Sequence, residues 1–217
     1  MPPLSFNQRA LYEEVAELLR NRIFNNELPP GSWIDELKIA EELGISRTPL
    51  REAIKVLASE GLVTMKVRRG AYVTEVSEQD LRDVYELLAL LESDAAAAVC
   101  RRASDEDIAK LKHMHQELVT AADANKGSRE RFFVLNEQFH LQLLELANNR
   151  WRMQTVQDLR KVMKLNRHSS LFKAGRIEDS LREHQAILDA IAARQPDVAA
   201  THVRRHFENG LQAASTP

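Results

Sequence analysis

Two groups of side chains in this sequence of 217 residues have the types and spacing to do chemistry. The first is a set of nitrogen and oxygen donors in the second half of the chain. Asn136 and His140 stand four residues apart, so on a helix both project from one face. His184 and His206 fall in later helical runs. All three histidines neighbour apolar positions: Phe139 and Leu143, Ile187 and Leu188, Val203 and Phe207. Inward-facing histidines on several helices of a bundle can build a metal site. Three imidazoles plus one oxygen ligand suit zinc or a similar first-row ion. A histidine beside an apolar face is more often an ordinary core or surface residue, and spacing alone leaves both readings open.

The second group is cationic. The stretch from Gly44 to Ile54 reads as a turn followed by a helix. Gly44 tolerates the positive φ of a turn. Ser46 suits the N-cap, its hydroxyl accepting from an orphan backbone N–H. Pro49 falls in the first turn, where its missing N–H breaks no helical bond. Leu50, Ala53, Ile54 and Leu57 share one face, and Arg47, Arg51 and Lys55 lie on another. Such a helix suits a DNA groove, although an amphipathic surface helix with a solvated cationic face has the same period.

The elements around these groups decide between the readings. An amphipathic helix from about Gln8 to Asn26 is ended by Pro29-Pro30-Gly31, after residues 1–7 that read as a loose lead-in. Trp33-Ile34 is a short extended piece. Asp35 caps a second short helix, and the cationic helix runs to about Glu60 with Gly61 just past its end. Leu62 to Lys66 and Ala71 to Val76 carry β-type residues around Val67-Arg68-Arg69-Gly70, a hairpin with an arginine-tipped turn. Three helices and a hairpin predict a winged helix-turn-helix over residues 1–77. In that module the helix after the turn enters the major groove and the hairpin reaches backbone or minor groove.

From Ser77 the strand signal stops. Helical patterns follow from Glu78, from Ser104, from about Phe132, from Trp151 to Arg167, from Arg176 to Arg194 and from Pro196 to Ala213. Polar breaks separate them at Asp123 to Ser128, at Asn148-Asn149 and at Ser169 to Gly175. Residues 78–217 therefore predict an all-α antiparallel bundle of six helices, and the whole chain a mostly α protein in two domains. Cys100, the single cysteine, excludes an intrachain disulfide and reads as a buried small hydrophobe in a reducing cytoplasm. The N-terminus has no signal-peptide pattern, and no apolar run approaches the roughly 20 residues needed to span a bilayer, so a cytoplasmic protein without membrane contact is expected. A net charge of −2 argues against a globally basic polyanion binder. Between Ile45 and Gly70, however, Arg47, Arg51, Lys55, Lys66, Arg68 and Arg69 face only Glu52 and Glu60, a local net of +4.

Pro30-Gly31-Ser32, the run from Leu43 to Ala53 and the run from Leu57 to Val63 resemble the N-terminal domain of GntR-family transcription regulators over about residues 8 to 77. The resemblance implies DNA contacts from Ser46, Arg47, Thr48 and Arg51, and a wing tip of Arg68, Arg69 and Gly70. An arginine can donate two bonds to guanine O6 and N7, and hydroxyls near a helix N-terminus suit phosphate, but which arginine reads a base stays open. Leu37 stands where some relatives place an arginine on phosphate.

Glu86 to Glu92, Asn136 to His140, Ala147-Asn148-Asn149, Glu183 to Ile191 and His206 resemble the effector-binding FCD domain of the FadR-type subgroup, over about 78 to 213. That resemblance implies a divalent metal held by Asn136, His140, His184 and His206, zinc first with nickel or manganese as alternatives, and a small carboxylate effector held with its help. Two departures bear on chemistry. Asn136 replaces the usual Asp, a weaker ligand that leaves the ion's full charge for an anionic effector. Leu88 replaces a frequent Arg; if that position lines the pocket, one cation for an acid group is missing. His202 reads as a surface residue, and His113, His115 and His168 as solvated.

The expected protein is a sequence-specific DNA-binding regulator, a repressor as most of the family are. It would work as a homodimer on a palindromic duplex operator under control of a small organic acid. A regulator that senses the ion itself is the alternative. A metallohydrolase is remote: no His-Glu-x-x-His motif occurs, and Glu183 is displaced by about 100° from His184 on the helix, so no enzyme is expected.

Overall fold

The structure, a computed structural model, describes residues 11–123, 129–165 and 175–215. The lead-in at 1–7, most of the polar break at 124–128, His168 and the loop from 169 to 174 lie outside the described residues. The chain divides into two compact units, Met1–Ser77 and Glu78–Pro217.

The first unit contains α1 (Leu11–Phe24), α2 (Glu36–Leu43), α3 (Arg47–Ser59), β1 (Val63–Lys66) and β2 (Gly70–Val73). Leu50, Ala53, Ile54 and Leu57 of α3, which share one face by helical spacing, are all buried, and Val15, Ala16, Leu19 and Ile23 of α1 are buried with them, while Leu11 and Leu18 of α1 are exposed. Asp35 caps α2, its Oδ1 accepting from the amides of Leu37 and Lys38, each at 3.1 Å. Gly44 ends α2 at φ 63° and turns the chain into α3. Arg20 of α1 donates to both oxygens of Glu60 at 3.0 and 2.9 Å, which ties α1 to the end of α3. Arg22 grips Glu42 in the same way, tying α1 to α2.

Ser46 differs from expectation. Its backbone is in the extended N-cap conformation, yet its side chain makes no capping bond. The usual partner, the amide three positions into the helix, belongs here to Pro49, which has no N–H. The strands are also shorter than predicted. They pair antiparallel from Val63↔Val73 to Lys66↔Gly70, and beyond Val73 the Thr74 amide donates to the Leu62 carbonyl at 3.0 Å. Trp33 bridges Tyr72, so the predicted extended piece lies as a third segment beside the hairpin. Gly70 has φ +91°, and a Cβ placed there would stand 3.1 Å from Trp33 Nε1, so the tip needs glycine twice over.

The second unit contains α4 (Glu78–Arg102), α5 (Asp105–Ala122), α6 (Arg129–Leu146), α7 (Arg150–Leu165), α8 (Arg176–Ala192) and α9 (Pro196–Ser215), with no strand among the described residues. Helix α4 is the hub and packs on α6, α7, α8 and α9. It can do so because Ala95 to Cys100 are all buried, and small side chains let helices approach from several sides. Ser104 and Asp107 form a capping box at the start of α5, and Asn149 caps α7 through the amides of Trp151 and Arg152. Cys100 is buried, as expected. No described helix is long and apolar enough to cross a membrane.

The packing separates two leucines on consecutive helices, Leu37 of α2 and Leu50 of α3. Leu50 is fully buried and Leu37 is 57% exposed. Leu50→Ala should destabilise the first unit by about 2–5 kcal/mol, and Leu37→Ala by less than about 0.5 kcal/mol. Amide hydrogen exchange of α1 and α3 in the intact chain measures both; equal effects would contradict this packing.

Candidate metal centre and nucleic-acid interface

Three helices bring three imidazoles together inside the bundle. His140 comes from α6, His184 from α8 and His206 from α9, and all three are buried. Their ring centroids are 4.8 to 5.2 Å apart, and one ring nitrogen from each lies within 4.8 Å of the others. His184 stacks on Phe139 at 4.8 Å, one position before His140.

Two carboxylates orient two of the rings. Glu92 of α4 accepts from His140 Nδ1 at 2.7 Å, and its other oxygen accepts from Arg160 Nε and Nη2 at 2.8 and 2.6 Å. Glu183 accepts from His206 Nδ1 at 2.6 Å, from Arg176 at 2.9 and 3.2 Å, and from Asn209 at 2.7 Å. With Nδ1–H donated to a carboxylate, each ring keeps its Nε2 lone pair for another partner. His184 is different: neither of its nitrogens has a hydrogen-bond partner, and neither does the buried Oδ1 of Asn136. Buried polar atoms without partners are costly, and these belong to two of the residues whose chemistry suits a metal ligand. The donor set of three imidazoles and one amide oxygen therefore fits a divalent ion.

A cavity of about 50 Å³ adjoins the cluster, lined among others by Tyr85, Asn136, His140, Arg160, Arg176 and His206. Leu88 is fully buried and does not line the cavity, whereas Arg160 and Arg176 do. Neither arginine stood out in the sequence, because each owes its place to a carboxylate on another turn or helix. Glu183, displaced from His184 on its own helix, instead aims His206 from the neighbouring helix. His115, expected to be solvated, is buried: its Nε2 lies 3.1 Å from the Leu181 carbonyl, and its ring is 6.4 Å from His184. The signal was present, since Leu111, His115 and Leu118 share one face of α5. His113 is exposed and His202 half-buried.

In the first unit, Ser46, Arg47, Thr48 and Arg51 are all exposed along the start of α3. Arg68, at φ 60°, and Arg69 are exposed at the turn of the hairpin, beside Gly70. Lys66 lies 4.3 Å over the ring of Tyr72. The local excess of cations has a counterweight outside the predicted stretch: Glu36 of α2 is 2.7 Å from Arg51 and 3.6 Å from Arg47.

Residues 11–73 match the family described as bacterial regulatory proteins, gntR family, and residues 83–209 match the FCD domain. The chain belongs to the GntR family. Its FCD domain is that of the FadR-type subgroup, and it is a DNA-binding transcription regulator. Among its relatives, the HTH-type transcriptional regulator YdhC of Bacillus subtilis is 28% identical, over 93% of this chain and 89% of that one. The Nta operon transcriptional regulator of Aminobacter aminovorans is 32% identical, over 84% of this chain and 86% of that one. The structure of E. coli McbR/YncC shares the fold with a TM-score of 0.78 at 22% identity, over 95% of this chain and 98% of that one.

Electrostatics keep the regulator's histidine cluster ready for a cation. Burial, then the nearby charges of Arg160 and His206, hold His140 well below its usual range. Burial, then the neighbouring histidines and Arg176, do the same for His184. Glu92 is raised by burial, against the pull of Arg160. Burial also pushes Glu183 up, but bonds from His206 and Arg176 outweigh it and bring this carboxyl down to about 2. The two carboxylates diverge because Glu183 is less buried and has a third donor in Asn209.

These shifts set a pH dependence. Above the ordinary histidine value of 6.5, folded and unfolded chains both carry His140 and His184 neutral, and these two residues take nothing from stability. Below 6.5 the unfolded chain takes up protons that the folded one refuses, so stability falls as pH drops. Glu183 adds a second loss below its ordinary value of 4.5, continuing toward about 2. In the presence of chelator, the melting temperature should fall from pH 7 to pH 5, each histidine steepening the slope by up to about 1.4 kcal/mol per pH unit. His184→Leu should flatten that slope, and an unchanged slope would show that His184 is not kept neutral by the fold.

Proposed function

We propose that this regulator is a repressor whose operator affinity is set by a small organic acid bound beside a divalent metal in the bundle. The convergence of His140, His184 and His206 on one point, next to the unpartnered oxygen of Asn136, carries the reading. These four residues would hold the ion, with zinc the first choice and nickel or manganese the alternatives. When bound, the ion supplies concentrated positive charge at the wall of the cavity.

The chain's own residues contribute orientation more than charge. Glu92 and Arg160 cancel each other, as do Glu183 and Arg176. Asn136 and the histidines are neutral ligands, so the charge available to an acid is that of the ion. An acid therefore should bind well only to the metal-loaded protein. Arg160, Arg176 and Tyr85 line the cavity and can hydrogen-bond a carboxylate there. Both carboxylates beside the imidazoles are tied to arginine, which supports a regulatory site over a hydrolytic one. The small size of the cavity favours one second reading, a sensor in which the ion itself is the effector.

In the first unit we assign DNA contact to Ser46, Arg47, Thr48 and Arg51 of α3 and its cap, and to Arg68, Arg69 and Gly70 of the wing. The Ser46 hydroxyl, released from capping, can donate to a phosphate. A homodimer would place two such heads on the half-sites of a palindromic operator. To regulate, the acid must bind two arrangements of those heads with unequal affinity.

Three experiments test this reading. Small carboxylates should raise the melting temperature of zinc-loaded protein and leave the chelated protein unmoved. The double variant His140→Ala, His184→Ala should lose its metal by elemental analysis and its response to acids. Metal content equal to wild type would rule out the site, and a response to metal alone, with no acid effective, would favour the sensor. Arg47→Ala and Arg51→Ala should each abolish specific operator retardation in gels without lowering the melting temperature; unchanged affinity in both would remove α3 as the reading helix.

A further inference from the structure

The pairing of Glu36 with the two arginines of α3 points to a residue that sets base specificity without touching DNA. Glu36 stands at the first position of α2, and its side chain is only 18% exposed, while those of Arg47 and Arg51 are 54% and 56% exposed. Its anchor is stiff: Asp35 caps the helix beside it, and Arg22 bonds Glu42 at the other end. A single oxygen, Oε2, accepts from Arg51 Nε at 2.7 Å and lies 3.6 Å from Arg47 Nη2.

We propose that Glu36 is a positioning residue that makes Arg51 the guanine reader of α3. The inference rests on the reading of α3 as the DNA-contacting helix. The bond to Glu36 uses Nε, so the two Nη groups of Arg51, on a side chain 56% exposed, remain as a pair of donors. That pair matches guanine O6 and N7. An arginine already held in one rotamer loses less side-chain entropy when it docks. The same carboxylate repels phosphates, so it lowers affinity for every duplex while sharpening the choice among them. Arg47, farther from Glu36, is held less firmly.

Selection from a randomised duplex pool with the intact protein tests the proposal. Wild type should enrich a site containing guanine. Glu36→Gln should lose that guanine preference by about fivefold or more and bind non-operator duplex at least as tightly as wild type. In an Arg51→Ala background, Glu36→Gln should change no base preference, because its route is gone. A merely structural role would lower the melting temperature and weaken all sequences evenly. That result, or full guanine preference in Glu36→Gln, overturns the role of Glu36 while leaving DNA reading by α3 intact. A wild type that enriches no sequence overturns the reading of α3 itself.

Discussion

Holding three imidazoles aimed inside an apolar bundle, two of them kept neutral by burial, is the constraint on which the second unit depends. An imidazole buried without a partner costs free energy, and a charged one costs more. Two of the three are made tolerable by carboxylates, and each carboxylate by an arginine: Arg160–Glu92–His140 and Arg176–Glu183–His206. Removing any middle member would strand a charge in the interior, a change worth about 3–5 kcal/mol in comparable buried pairs. The third ring, His184, has no such support and is held by stacking on Phe139, with His115 behind it. That asymmetry leaves His184 and Asn136 as the two residues whose polar atoms most need a partner from outside the chain.

The alanine run of α4 makes the arrangement possible. With Ala95 to Ala98 buried, four other helices can approach α4, and Glu92 is carried into the space they enclose. A bulkier residue in that run would hold the helices apart and take Glu92 out of reach of Arg160 and His140. Packing and electrostatics are one problem here: the small side chains that close the core also set the distances that keep its charges paired.

The same pair of side chains is used on the surface of the first unit with a different result. Glu36 and Arg51 are bonded as closely as Glu92 and Arg160, but Arg51 is half exposed to water. In water such a pair contributes little stability and the arginine stays available to a stronger partner. In the core, the low dielectric makes the pair permanent and leaves the guanidinium only its unpaired edge for a ligand. Solvent exposure alone separates a guide for recognition from a structural clamp.

The helices, the hairpin and the break at Ser77 were legible because they follow from short-range patterns: apolar spacing, an Asp before a helix, a Gly after it. The match of both segments to their families was likewise carried by residues close together in sequence. Even the missing cap at Ser46 was readable, since Pro49 stands three residues on. The supporting carboxylates and arginines were not. Arg160 meets Glu92 across 68 positions and His140 meets Glu92 across 48. No local period marks such pairs, and the direction of Glu183 on its own helix says nothing about His206 on the helix next to it. The sequence by itself determined which elements form and which faces they bury. The tertiary structure alone decided which buried polar groups find one another, because that depends on how several helices close around a common core.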